Sequence, residues 1–426
     1  MLLQSLLRPV LTPIMRGIFD PAQSVAAAWS PLSLWPDGIL SPGMWISPRT
    51  LTSEWQDYTG TTPVTTPGTV ADSANPAGLA LDIRAGAPEV LGPELVVNGD
   101  FSDGTTGWTP DIEQGLDTVL TADTSIFPSG GMKLSAPMYP AGGQTISGLT
   151  VGTLYEVNAS IYSDSLRATI IIGNNYAYTS VSQVNEVNEL SLRFVAAATS
   201  VVVWVAKVIP IVGWSSGDLY VSNISVKEVP GNHMLQSTSA ARPLMSAYDG
   251  QTLGPGDTYS STGYPIFQKY DGVDDGMATA AFTAGTLTSA MDCMIPVRRD
   301  SAALPQVIGL YQSDQTKYFG VVGTVSSDGA ATYSGCGTPT VFVDGVEVAS
   351  TRGALFDVLT IGDFHILEYR GLDLSAWVNA NFGNYGVPYQ VNGARGDIML
   401  FESTASTADK DAARQYLADY YGVTLP

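Results

Sequence analysis

The feature that most constrains this chain is a series of short segments rich in β-branched and aromatic residues, separated by turn residues, between about residues 93 and 230. The clearest segments are 154–162, 168–172, 190–195, 200–205 and 219–226. Such residues favour strands, and strands at regular spacing with no helix between them are typical of an antiparallel sandwich. The sequence therefore predicts a β-sandwich in the middle of the chain.

The rest of the chain also has features that predict β structure, together with one helix near its end. Its 426 residues leave room for two or three domains, and its glycines and prolines are spread along it without a periodic repeat. In VFVDGVEV, residues 341–348, the pair Asp344-Gly345 predicts a type I′ turn between two strands. Near the end, Ser406 and Asp409 predict a capped helix that closes at Gly422. We therefore expect an all-β fold of two antiparallel β-sandwiches with a short C-terminal helix.

The front of the chain has two parts with different patterns. Residues 1–30 carry apolar residues at an approximately helical spacing, and such a segment cannot bury that face alone. It either packs on the chain's own C-terminal domains or docks as an anchoring segment into a partner or a symmetry mate. The stretch from Trp29 to about Ala85 favours short strands and loops, and its tryptophans are expected to fill a core more often than to stack on a ligand. Those tryptophans are Trp29, Trp35, Trp45 and Trp55.

Charge, cysteine usage and hydropathy exclude several classes of function. A net charge of −21 repels nucleic acid and anionic membranes, so no nucleic-acid partner is expected. Arg8, Pro9 and Pro13 interrupt the apolar N-terminus, and no later stretch is long enough for membrane insertion. We expect assembly in a cytoplasm. Cys293 and Cys336 are too few for a disulfide framework and are expected to be reduced and structural.

Two sets of motifs carry a resemblance to known families. ELVVNGDFSDGTTGW, residues 94–108, and VSNISVKEVPGNH, residues 221–233, resemble the carbohydrate-binding-module or galactose-binding-like jelly rolls of phage proteins. ARPL, YDGVDD, VFVDGVEV, GDIMLFES and RQYLADYYGV, in that order, are similar to concanavalin-like, laminin-G-like phage domains. The resemblance implies a jelly roll over residues 93–230 and a concanavalin-like sandwich over residues 231–426.

The front module, residues 31–92, also resembles part of phage tail and virion proteins. In those proteins an element like GLALD, residues 78–82, runs almost directly into one like GNHMLQSTSAARP, residues 231–243. We infer that the jelly roll is inserted between Asp82 and Gly231, and that the front module is continuous with residues 231–245. Domain termini often lie close together, which makes such an insertion physically easy.

Catalytic chemistry has little support in the residues. The only histidines, His233 and His365, are expected to be a loop residue and a packed or edge residue of a strand. No motif selects a pair of carboxylates for glycan cleavage. Asp271, Asp274 and Asp275 form the densest acidic cluster, which is typical of a turn and otherwise suits a metal ion. The Arg-Gly-Asp triplet at residues 395–397 is interpreted as chance. We expect a protein that is not an enzyme.

Two candidate binding sites follow from the jelly-roll resemblance. Glycan binding needs exposed aromatic rings beside amide or carboxylate groups, and the candidates in or beside predicted loops are Trp108, Tyr176, Tyr178, Trp214, Asn174 and Asn175. The alternative is that these rings fill the sandwich or a subunit interface. Jelly rolls of this kind often carry a structural Ca²⁺ near the first strand, which implicates Asn98, Asp100 and Glu228. No other cofactor is required.

Taken together, the resemblance implies a bacteriophage virion structural protein: a tail fibre or receptor-binding spike that displays β-sandwich modules for adhesion to host-surface glycans. Its expected partners are other virion proteins, through residues 1–30, and further copies of itself in a homotrimer. One alternative is a capsid or tail decoration or adaptor protein with no glycan binding. A weaker alternative is a polysaccharide depolymerase.

Overall fold

The computed structural model describes most of the chain. The described residues are 29–58, 60, 62–65, 75–84, 91–110, 118–137, 140–164, 168–173, 177–180, 183–207, 217–247, 265–282, 286–301, 306–323, 329–386 and 389–426. The anchoring segment predicted within residues 1–30 lies outside them except for Trp29 and Ser30.

The middle of the chain folds into two five-stranded antiparallel sheets packed face to face. Their strands are β4 (Thr109–Pro110), β5 (Val119–Ala122), β6 (Met132–Ser135), β7 (Ala141–Ser147), β8 (Leu154–Ser163), β9 (Ala168–Ile172), β10 (Ala177–Ser180), β11 (Val187–Val195), β12 (Ser200–Lys207) and β13 (Leu219–Glu228). We call the sheet with the order β10-β9-β12-β7-β4 sheet I and the sheet with the order β11-β8-β13-β6-β5 sheet II.

The alternation of side chains along each strand decides which residues enter this core. In β12, Val203 and Val205 are fully buried between the sheets, whereas Trp204 points to the outer face of sheet I and is half-buried. Ile170 and Ile172 of β9 take the corresponding inner positions. The predicted β-sandwich is confirmed, and its strands match the segments that the sequence indicates.

A second sandwich contains the C-terminal half of the chain. A nine-stranded sheet has the order β15-β16-β28-β18-β24-β22-β23, with β29 attached to β18 and β1 attached to β29, and an eight-stranded sheet has the order β2-β3-β14-β17-β25-β19-β20-β21. The strands of these two sheets are β1 (Met44–Ile46), β2 (Glu54–Trp55), β3 (Leu79–Ala80), β14 (Met234–Leu235), β15 (Leu244–Ala247), β16 (Ile266–Asp271), β17 (Met277–Thr279), β18 (Met291–Arg299), β19 (Gln306–Tyr311), β20 (Tyr318–Gly323), β21 (Tyr333–Ser334), β22 (Thr340–Val343), β23 (Val346–Val348), β24 (Phe364–Leu372), β25 (Asn381–Phe382), β28 (Asn392–Arg395) and β29 (Ile398–Glu402). Strands β26 (Asn384–Gly386) and β27 (Tyr389–Gln390) form a separate two-stranded sheet.

The front module is built into this second sandwich. Strand β1 pairs with β29 and β3 pairs with β14, so residues of the module extend both sheets. Trp35 and Trp45 are buried and stack on each other with ring centroids 5.7 Å apart. The Nε1–H of Trp35 donates to the carbonyl of Leu400 at 3.1 Å. These two tryptophans therefore belong to the core, as the sequence predicts.

The helical elements are short. They are the 3₁₀ turns Pro31–Leu34, Gly38–Leu40, Leu51–Ser53 and Ser239–Ala241, helix α1 (Arg352–Val358) and helix α2 (Thr407–Tyr421). The Ser406 side chain caps α2 by accepting from the amide of Asp409, and Gly422 ends it in a left-handed conformation. Among the described residues, no helix is long and apolar enough to cross a membrane.

The predicted hairpin is confirmed. Asp344 and Gly345 have φ values of 53° and 83°, as a type I′ turn requires, and they join β22 to β23. Cys293 and Cys336 are both buried and free, as the sequence predicts. Burial raises the pKa of each thiol, which keeps it protonated and unreactive.

An apolar cluster joins the two sandwiches. We keep the name jelly roll for the sandwich of sheets I and II. Its residues Leu154 and Val229 are buried against Leu79 and Leu81 of the front module. At the same interface the Arg193 guanidinium of β11 lies 4.2 Å from the ring centroid of Trp55. The jelly roll is therefore packed against the second sandwich through side chains as well as through its two chain connections.

Candidate functional site

The residues predicted for glycan binding are only partly within the described chain. Trp108 is buried in the sandwich core against Phe101, and its Nε1–H donates to the carbonyl of Asn98 at 3.3 Å. The ring has no free face for a ligand, so the expectation of an exposed platform does not hold there. The backbone of Tyr178 pairs with Ile171, and its side chain lies outside what is described. Asn174, Asn175, Tyr176 and Trp214 also lie outside the described residues.

Two of the three predicted calcium ligands make hydrogen bonds within their own loop. The Asn98 side chain is committed to its own loop, where it bonds to the backbone of residues 103, 104 and 106, and Asp100 accepts from the amide and hydroxyl of Ser102. The neighbouring Gly99 is bonded to Ile224 of β13. Glu228 lies four residues farther along that strand, roughly 13 Å at the rise of an extended chain. The grouping of Asn98, Asp100 and Glu228 around Ca²⁺ stays a prediction.

The cluster of Asp271, Asp274 and Asp275 does come together in the structure. One carboxylate oxygen of each lies within 4.8 Å of the others, which is a spacing that a divalent cation can bridge. However, Asp275 already accepts from the amide of Asp271 at 2.9 Å, and Asp271 accepts from the amide of Val273 at 2.8 Å. Burial raises the pKa of Asp275 to about 7. These bonds are local bonds of a turn, and the turn accounts for the close approach of the three carboxylates.

Both histidines form hydrogen bonds with backbone groups. His233 is buried at the junction of the sandwiches and not in an open loop: its Nδ1 accepts from the amide of Asp82 at 3.0 Å, and its Nε2 lies 2.9 Å from the carbonyl of Val229. Because Nδ1 accepts, the proton is on Nε2. Burial also lowers the pKa of His233, so the ring is neutral.

His365 lies in β24 between Asp344 and Thr360, an arrangement that superficially resembles a catalytic triad. Its Nδ1 is 2.7 Å from a carboxylate oxygen of Asp344. The Thr360 hydroxyl lies 2.8 Å from Nε2 and 2.9 Å from a carboxylate oxygen of Asp363, and the backbone amide of Thr360 donates to the same Nε2 at 3.1 Å. The amide thus competes with the hydroxyl for the lone pair that a general base would need. The Arg395-Gly396-Asp397 triplet has both charged residues fully buried, in agreement with chance.

The outer face of sheet I carries the arrangement best suited to binding. Trp204 is in register with Ile171 on one side and with Gly143 on the other, and Gly143 pairs onward with Thr109. The indole lies on Gly143, because a Cβ at that position would be 2.4 Å from Cε3 of Trp204. The Trp204 Nε1–H has no acceptor among the described residues. A glycine next to the tryptophan thus leaves space for a flat ring on the sheet.

The outer faces of the two sheets differ in charge. On sheet II, charged groups pair with one another: Arg193 with Glu156 at 2.9 Å and Lys133 with Asp218 at 2.7 Å. On sheet I, the described outward positions of the central strands are uncharged: Gly143, Thr145, Ile171, Val202 and Trp204. Sheet II therefore carries paired charges on its outer face, whereas sheet I presents an aromatic ring among small and apolar side chains.

Trp204 is a residue that the sequence analysis passed over because it lies inside a predicted strand and not in a loop. The alternation of residues along this strand nevertheless indicates the orientation of Trp204. Val203 and Val205 flank it, so a strand that buries both valines must turn the tryptophan outward.

Comparisons with known proteins give partial similarities only. No family model and no curated protein matches the chain. A tailspike protein 4 domain of bacteriophage CBA120 is 16% identical over 32% of this chain, with a TM-score of 0.26, and this chain spans 21% of it. The CBM22-1–CBM22-2 tandem domain of Paenibacillus barcinonensis Xyn10C is 12% identical, with a TM-score of 0.27, over 74% of this chain and 99% of that one. The CBM22-1–GH10 modules of Clostridium thermocellum xylanase 10B are 13% identical over 33% of this chain and 28% of theirs, with a TM-score of 0.25.

Proposed function

We propose that this chain binds glycans on the outer face of sheet I, with Trp204 as the stacking platform. The single observation that supports this most strongly is the half-buried indole lying flat on Gly143, with an Nε1–H that no described residue accepts. Sugars present an apolar face of C–H groups that stacks on aromatic rings, and hydroxyls that need donors and acceptors at the ring edge. The indole offers both in one side chain, and no cofactor is needed.

Thr109 and Thr145 lie on exposed parts of the same face and add hydroxyl groups beside the ring. The Thr109 hydroxyl donates to the carbonyl of Gly143 at 3.1 Å, which leaves its oxygen as an acceptor for a ligand. Because the described surroundings are uncharged, the platform suits a neutral sugar better than an ionic one. Binding and not cleavage is the proposed role, since the described residues of this surface include no pair of carboxylates.

The test is a glycan array probed with the full chain and with Trp204→Ala. Loss of one stacking contact should weaken binding by about ten-fold or more. Tyr220→Ala is the matched control, because Tyr220 is a half-buried aromatic residue on sheet II. Undiminished binding by Trp204→Ala would contradict the proposal. Dissociation of a homo-oligomer by the same variant, with no glycan bound by either protein, would favour the decoration or adaptor alternative.

We further propose that the chain is a non-enzymatic component of a phage particle, such as a tail fibre or receptor-binding spike. Residues 1–30 would attach it to other virion proteins, and a homotrimer would display the sandwiches outward. The support is the resemblance carried by the motifs at residues 94–108, 221–233 and 396–423. Deleting residues 1–30 should leave folded chains that no longer join particles. Normal incorporation of the truncated chain would refute that attachment role.

A further inference from the structure

A cavity of about 410 Å³ opens beside the proposed glycan platform, at the end of the jelly roll that faces the front module. Thr145, Gly173 and Val202 line it from the outer face of sheet I, and Tyr58 closes it from the front module. Val202 is two residues from Trp204, so the cavity begins roughly 7 Å from the platform at the rise of a strand. This volume falls within the range of roughly 300–1,000 Å³ typical of small-ligand sites.

The lining is apolar with a few hydroxyl groups. The end of β11 and the turn after it supply Phe194, Val195 and residues 196–198, and none of the described residues that line the cavity is charged. The hydroxyls of Tyr58, Thr145 and Ser200 have no hydrogen-bond partner among the described residues. Tyr58 is 37% exposed, so its hydroxyl can be reached from solvent.

This chemistry selects the ligand group that can enter. A bare sugar ring would bury several hydroxyls against apolar walls and leave most of them unpaired, which is costly. An anionic sugar would be buried without a cation beside it, on a chain whose net charge is −21. An acetyl group has a methyl for the apolar wall and one carbonyl oxygen that a single hydroxyl can satisfy.

We propose that this cavity is a subsite for the acetyl substituent of a neutral oligosaccharide whose next sugar stacks on Trp204. The inference rests on the proposed glycan-binding function and specifies its ligand as an uncharged, acetylated glycan. It also makes the site a product of both sandwiches, because Tyr58 comes from the front module and the other lining residues come from the jelly roll.

The test measures the affinity of the full chain for two matched probes by calorimetry. Chitotriose carries an N-acetyl group on each sugar, whereas cellotriose has the same linkage with hydroxyls in their place. We expect chitotriose to bind about five-fold more tightly, because one buried methyl contributes about that factor. Ala197→Trp, which fills the cavity from an exposed lining position, should abolish this preference. Ala122→Trp, on an exposed position of sheet II, should retain it.

Tyr58→Ala provides a second variant with no added bulk, and thermal unfolding verifies that each variant is folded. Equal affinity of the two probes, absence of saturable chitotriose binding, or a preference that survives Ala197→Trp would overturn the inference. The outcome for the subsite is distinguishable from the outcome for the proposed function. Array binding that depends on Trp204 but shows no acetyl preference supports the platform and rejects the subsite.

Discussion

The backbone amide of Asp82 donates to Nδ1 of His233 at 3.0 Å, joining two points of the chain that are 151 residues apart. Asp82 also accepts from the amide of Asn232 at 2.9 Å and pairs with Arg84. Gly231 lies against Asp82, since a Cβ on Gly231 would be 2.9 Å from that of Asp82. The chain thus leaves the second sandwich and returns to it at nearly the same place.

We expect the jelly roll to be separable at this junction. Residues 93–229 expressed alone should unfold in one cooperative transition, because they contain their own buried core. The remaining chain, with residues 85–230 replaced by a short Gly-Ser linker, should also fold, since the ends to be joined are adjacent. Circular dichroism during thermal unfolding measures both. Disorder in the isolated jelly roll would show that the domain boundary is wrong.

Gly143→Ala should impair binding as Trp204→Ala does. The added methyl would lie 2.4 Å from the indole, so the ring must leave its place on the sheet. We expect glycan binding on the array to fall by about ten-fold, because the platform is lost while the core valines remain in position. Gly329→Ala is the control, since a Cβ there has nothing within 4 Å. Unchanged affinity in Gly143→Ala would mean that the flat position of the ring is not needed.

Stability should fall as pH rises from about 5 to 9, and Glu54 is a main cause. Its side chain is fully buried, and burial raises its pKa from 4.5 to about 8. Between these values the folded state retains a proton that the unfolded state has lost, so the free energy of unfolding decreases with pH. The full effect is at most about 4 kcal/mol.

Glu54→Gln should remove most of this pH dependence and be more stable than the parent at pH 9. Urea unfolding from pH 5 to pH 9 measures it. A remaining slope of the same sign is expected from Asp275, whose pKa is raised to about 7, and from Glu228, whose pKa burial also raises, and Asp275→Asn should reduce it. Exposed Glu347 provides the control Glu347→Gln. An identical pH profile for Glu54→Gln and the parent would refute the assignment.

Arg193→Ala should weaken the interface between the sandwiches. The guanidinium contacts the Trp55 ring across the interface and pairs with Glu156 within the jelly roll. We expect a loss of about 1–2 kcal/mol and a separation of the calorimetric transition into two, because the cation–π contact and the packing of the side chain disappear. Lys133→Ala breaks an ion pair within the jelly roll alone and should not separate the transitions. One unsplit transition in Arg193→Ala would contradict this role.

Much of the fold follows from local patterns. The alternation in 200–205, the Asp344-Gly345 turn and the cap at Ser406 each depend on neighbours within a few residues, and each is present where the sequence indicates. The binding surface was harder to predict. Trp108 follows an Asn-Gly turn in a loop that the sequence marks as exposed, yet the loop folds back and buries the ring on Phe101.

The sequence by itself determined the all-β class, the strand positions and the capped C-terminal helix, because backbone preference and side-chain alternation act over short distances. Only the tertiary structure decided that β1 and β3 enter the sheets of the second sandwich, that Trp204 lies on Gly143, and that Tyr58 closes a cavity of the jelly roll. Each of these relations joins segments far apart in the chain. Their formation depends on strand register and on shape-matched packing between surfaces, which no local pattern of residues encodes.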